Sequence, residues 1–96
     1  MAQQSNRQIG ARINRIAGQV NGIARMVDEG RYCIDILNQI AAVRSALDAL
    51  GIVLLTRHLE HCVLAHGSGS EHATARTLSQ QELLDEVQAA LTRFLR

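Results

Sequence analysis

The chain has 96 residues, no proline, seven glycines and 47% hydrophobic residues, which bounds it to one small domain, 1–96, and excludes a disordered tail. Net charge is +1, and all ten basic residues are arginines; aromatics at 2% exclude the stacking platform of single-strand nucleic-acid binders, and two cysteines are too few for a disulfide framework. No apolar run approaches the roughly 20 residues of a bilayer span, and the first residues lack the apolar stretch of a signal peptide, so a cytoplasmic protein with no membrane contact is expected.

The first element is marked by Ile9, Ile13, Ile16, Val20, Ile23 and Val27, whose steps of four and three suit a helical seam and no strand. Arg7, Arg12, Arg15 and Arg25 precede the first acidic residue, Asp28. That basic end suits an anionic partner, and the shortage of aromatics directs the expectation to duplex and phosphate contacts. Asp28-Glu29-Gly30 then supplies a helix stop, with Gly30 able to adopt the left-handed conformation.

From Arg31 to about His66 a second, long helix is expected, with a seam at Ile36, Ile40, Val43, Leu47, Leu50 and Leu54. It is also apolar off the seam, at Ile34, Leu37, Ala41, Ala42, Ile52, Val53 and Leu55, and a helix apolar nearly all round is covered nearly all round. At some 1.5 Å per residue it spans roughly 50 Å, beyond the diameter of so small a globule. Another copy of the chain must therefore cover it. Residues 67–78 read as a flexible loop, Ser79-Gln-Gln-Glu82 as a capping box, and Leu83, Leu84, Val87, Leu91, Phe94 and Leu95 as the stripe of a third helix. The fold class is all-α, three helices per chain, assembled with the long helix at the centre.

Cys33 begins the long helix, and His58 and Cys62 lie near its end at i and i+4. At ~100° per residue, His58 and Cys62 are rotated about −20° and +20° from Cys33, so the three share one face. Along the axis, however, Cys33 is roughly 37 Å from His58, so one helix cannot bring all three to one atom. If two copies pack antiparallel about a two-fold axis near Ala46–Leu47, Cys33 of one faces His58 and Cys62 of the other, twice over. Two thiolates and an imidazole make a soft set suited to Cu(I); Zn(II) is an alternative with a fourth ligand, for which His66 is placed. Taken singly, a helical cysteine is a small hydrophobe and a histidine near a helix end is a surface residue or cap. It is the shared face that points to a site. His61 is rotated off that face, and His72 belongs to the loop. No oxyanion hole, phosphate loop or carboxylate pair accompanies His58 and Cys62, so the chain is not expected to be an enzyme.

Cys33, His58 and Cys62, set in the stretch Gly30 to Leu47 and preceded by Arg15-Ile-Ala-Gly-Gln-Val-Asn-Gly-Ile-Ala-Arg-Met26, closely resemble the CsoR-like family of bacterial copper-sensing repressors. The resemblance runs from about Arg12 to Val63. It implies a dimer that pairs into a homotetramer, binds double-stranded operator DNA when metal-free, and releases it when Cu(I) occupies an inter-subunit site with Cys33, His58 and Cys62 as ligands. Tyr32 matches a position tied to the histidine ligand through a glutamate on the third helix, for which Glu82 is preferred over Glu86. Arg7, Arg12 and Arg15 fall on the family's basic first helix and Arg44 on a basic position of the second. Asn14 and Asn21 stand where relatives often carry basic residues, which implies fewer phosphate contacts and a shallower salt dependence. No helix-turn-helix pattern is present, so DNA shape and a charged surface are expected to guide binding. Three alternatives stay open: a Ni(II) or Co(II) sensor drawing on His61 or His66, a persulfide sensor needing only Cys33 and Cys62, and a metallochaperone or plain interaction module.

Overall fold

A computed structural model describes residues 5–63 and 78–95, in three α-helices and one π turn with no strand among the described residues. The helices are α1 (Asn6–Asp28), α2 (Cys33–His58) and α3 (Gln80–Phe94), and the π turn, Leu59–Val63, follows α2 directly. The chain divides into two compact units between Leu54 and Leu55. His66, His72 and the loop expected at 67–78, apart from Leu78, lie outside the described residues.

In the first unit, α1 starts three residues ahead of the apolar periodicity because Ser5 caps it. Gln8 N–H donates to Ser5 Oγ at 3.2 Å, and Ser5 N–H donates to Gln8 Oε1 at 2.8 Å, a reciprocal box that satisfies two amides left over at the helix start. The Ser5-Asn-Arg-Gln8 signature of this box stands in the sequence ahead of the apolar pattern. At the other end Gly30 takes a positive φ of 66°. Arg31 N–H donates to the Met26 carbonyl at 2.9 Å and Gly30 N–H to that of Val27 at 3.1 Å, the two bonds of a Schellman closure, as the Asp28-Glu29-Gly30 stop implies.

The seams expected on α1 and α2 each split in two. On α1, Ile9 is buried and Ile16 and Ile23 are half-buried, whereas Ile13, Val20 and Val27 are exposed. On α2, Val43 is buried and Ile36 and Leu50 are half-buried, whereas Ile40, Leu47 and Leu54 are exposed. Each helix thus spends one edge of its stripe within the chain and leaves the other uncovered.

The second unit has a small core of its own. Leu83 on the first turn of α3 is fully buried, packed against Leu59 of the π turn and against Leu78 and Val87. Burying one leucine contributes roughly 1.5–3 kcal/mol, so this cluster docks α3 on the turn that follows His58. Ser79 caps α3 as the sequence indicates: Glu82 N–H donates to Ser79 Oγ at 3.1 Å and Ser79 N–H to Glu82 Oε1 at 3.0 Å.

Two expectations need correction. The α-helical winding anticipated to about His66 stops at His58; no breaker residue announces this, because a π turn widens the hydrogen-bonded ring without needing glycine or proline. Moreover, the stretch Cys33–His61 is by length and composition apolar enough to cross a membrane. Uninterrupted apolar runs are short there, yet charges are sparse, with only Asp48 between Arg44 and Arg57. Only 6% of that segment's most apolar window is buried within the chain.

Candidate metal centre and DNA surface

Cys33 is the first residue of α2 and carries an exposed free thiol. Tyr32 stands immediately before it, exposed, and its carbonyl accepts the Ile36 N–H at 3.2 Å, opening the α2 ladder. His58, half-buried, is the last residue of α2.

Between these ends the α2 positions Leu37, Ile40, Arg44, Leu47, Gly51 and Leu54 follow from Cys33 in steps of three and four and lead on to His58. They form one continuous stripe. Leu37 is 57% exposed, Ile40 39%, Leu47 47% and Leu54 44%. Cys33 therefore belongs to an exposed apolar edge of α2, while His58, four residues beyond Leu54, is half-buried. Among the described residues, no group of three or more His, Cys, Asp and Glu side chains comes together to hold a metal within this chain.

His61 and Cys62 fall on the π turn. Closing hydrogen bonds from i to i+5 turns the backbone less per residue than α winding does, so the i, i+4 relation that ties His58 to Cys62 in sequence is not the α-helical one here. Single π turns inside helices concentrate at functional sites, and this one lies within the proposed ligand set. It left no mark in the residue pattern.

Of the two acidic candidates on α3, Glu82 is committed to its cap. Hydrogen bonds from the Ser79 backbone and then the Ser79 side chain hold its carboxyl below the ordinary value of 4.5, since donors to a carboxylate favour its charged form. Glu86 is exposed one turn further on.

The arginines expected to meet DNA divide between two helices. Arg7 and Arg15 are exposed on α1 and Arg12 is half-buried there. Arg25 is also exposed on α1, with its guanidinium 3.8 Å from where a Cβ on Gly22 would stand. Arg44 is separate, exposed on the α2 stripe that carries Cys33 and His58.

Residues 5–93 match the family described as metal-sensitive transcriptional repressor. The chain belongs to that family. As a metal-sensitive repressor it is a DNA-binding regulator and not an enzyme. It is 45% identical over 86 residues to the copper-sensing transcriptional repressor RicR of Mycobacterium tuberculosis, covering 88% of this chain and 82% of that one. It is 52% identical over 56 residues to the copper-sensing repressor CsoR of Bacillus subtilis, covering 58% of this chain and 55% of that protein. Among solved structures, CsoR with Cu(I) from Geobacillus thermodenitrificans superposes with a TM-score of 0.76 at 36% identity, covering 100% of this chain and 95% of that one. The nickel-responsive regulator InrS superposes with a TM-score of 0.74 at 33% identity, covering 98% and 97%. The all-helical fold class follows from the residue pattern and from these likenesses alike.

Proposed function

We propose that this repressor senses Cu(I) at a site shared between two copies of the chain, Cys33 from one and His58 with Cys62 from the other. The observation that supports the reading is the exposed apolar stripe on α2, Leu37, Ile40, Leu47 and Leu54, which begins at Cys33 and leads in sequence towards His58, and which a second copy of the chain would cover. An antiparallel pair of α2 helices buries Leu37, Ile40, Leu47 and Leu54 and brings opposite helix ends together. The donor set fits, because two thiolates and one imidazole favour a soft monovalent ion over harder divalent ones. Bound there, copper would tie the two chains through soft bonds and so fix the pose of one α2 against the other. Tyr32 and Glu82 are assigned to orienting His58, a role in which an outer partner sets ring position and tautomer; Glu82 would take it by giving up its bond to the Ser79 N–H.

Arg7, Arg12 and Arg15 on α1 hold double-stranded operator DNA in the metal-free state, through phosphate contacts on a surface assembled from a homodimer and, by pairing of dimers, a homotetramer. The protein acts in the cytoplasm, and the apolar length of α2 serves this assembly and not a bilayer. Metal and DNA oppose each other, so each weakens the other by the same factor.

Anaerobic Cu(I) titration of the protein on fluorescent promoter DNA tests this. Wild type should dissociate at one copper per chain while His58→Ala stays bound at the same copper concentration. Release of both by copper would remove His58 from the site. A second reading, Ni(II) or Co(II) sensing, draws on the likeness to a nickel-responsive regulator and on His61 beside Cys62 in the π turn. It requires nickel to release DNA where copper does not.

A further inference from the structure

Arg44 stands in the middle of the exposed α2 stripe and Asp48 on its flank one turn later, among residues suited to apolar contact. Both are exposed, and among the described residues neither has an ion-pair partner within the chain. At ~100° per residue, Arg44 lies about 20° and Asp48 about 60° round from the line through Cys33 and Gly51, both on the same flank.

We propose that Arg44 and Asp48 pair reciprocally across the dimer axis, Arg44 of each chain with the partner's Asp48, and set the register in which Cys33 meets the ligands of the other chain. The proposal rests on the antiparallel α2 pairing above. Aligning Cys33 with the middle of the His58 and Cys62 pair puts the two-fold axis at Ala46–Leu47. Arg44 precedes that point and Asp48 follows it, so antiparallel packing brings them level to within one residue, ~1.5 Å along the axis. A two-fold axis running across the helices keeps each flank on its own side, so the pairs form on the flank both residues occupy, and symmetry makes them twice.

The same arithmetic explains why the charges are useful in an otherwise apolar face. Apolar contact alone tolerates sliding, because leucines one turn apart are interchangeable. A slip of one helical turn in one direction sets Arg44 against the partner's Arg44, and in the other direction Asp48 against the partner's Asp48. Like charges in a partly desolvated contact are repelled, so both slipped registers are disfavoured and the one that assembles the metal site is kept. This places Arg44 in the dimer contact and away from the DNA surface that the family resemblance suggested for it. Its apolar neighbours Ile40 and Leu47 make a poor seat for phosphate.

The test is a charge exchange in trans, read by sedimentation of metal-free protein and checked for helicity by circular dichroism. Arg44→Asp and Asp48→Arg should each raise the dimer dissociation constant by at least about tenfold, while an equimolar mixture of the two variants returns to near wild-type association. In the mixed dimer both cross-axis pairs are restored, whereas each chain by itself keeps two like charges at i and i+4, so recovery cannot come from within one helix. No recovery on mixing overturns the proposal, as does wild-type association of Arg44→Asp with only its DNA binding lost. Copper stoichiometry of wild type and His58→Ala, measured alongside, separates the two claims: a copper site lost in His58→Ala with no recovery on mixing sinks the register pair alone. A wild type that stays monomeric with and without copper sinks both.

Discussion

Leu83 and Glu82 sit next to each other on α3 and act by different means. Leu83 is fully buried and packed, among the described residues, against Leu59, Leu78 and Val87. Leu83→Ala should cost about 2–5 kcal/mol in urea denaturation, the range for deleting a packed leucine side chain. Glu82 is fully exposed, and its contribution is electrostatic and local. Because its carboxyl is held below 4.5 by Ser79, the cap's contribution is complete above the ordinary glutamate range and is lost as pH falls through the lowered folded value. Titration of the Glu82 carboxyl carbon by NMR should give a midpoint below 4.5, and Ser79→Ala should move it back up. The Ser79-Gln-Gln-Glu82 box was legible in the sequence because its partners are three residues apart; the burial of Leu83 was not, since Leu84 and Phe94 carry the same apolar signal and lie exposed.

The turn between α1 and α2 was legible as well, because a Schellman closure has a residue requirement. At Gly30, with φ of 66°, an alanine has its Cβ in a steric conflict with its own backbone that glycine lacks, though among the described residues beyond its chain neighbours nothing comes within 4 Å of that Cβ. Gly30→Ala should therefore destabilise the protein by about 1–2 kcal/mol through backbone strain alone, measured by thermal or urea unfolding. The π turn at Leu59–Val63 is the contrasting case. Its residues, Leu59-Glu-His-Cys-Val63, would serve an α-helix equally well, so periodicity carried the α winding straight through it. The turn matters because Leu59 anchors it on Leu83, which ties the segment after His58 to α3.

For the whole molecule, the decisive feature is the half-used apolar stripe on α1 and on α2. A solvated monomer seldom exposes an apolar strip of this length, and in the function proposed above charge on α1 meets DNA while a second copy covers α2. Leu47→Glu places a carboxylate beside the proposed two-fold axis without disturbing the chain's own core, since Leu47 is about half exposed. It should convert the assembled protein to monomer in sedimentation while leaving its helical circular dichroism intact. By contrast, Val43→Glu, which enters a buried position, should unfold the chain.

Composition and spacing alone determined the class of this protein: three helices, the basic first helix, the two helix boundaries with chemical requirements, and a cysteine and histidine set whose angular positions agree and whose axial positions do not. Those follow from local physics, since periodicity, capping and rise per residue are properties of short stretches. Only the tertiary structure decided which edge of each seam is buried, because the sequence marks both edges as apolar and packing chooses between them. It also placed a π turn where α winding was expected, because the energies of the two windings differ too little for five ordinary residues to declare which one neighbouring contacts will select.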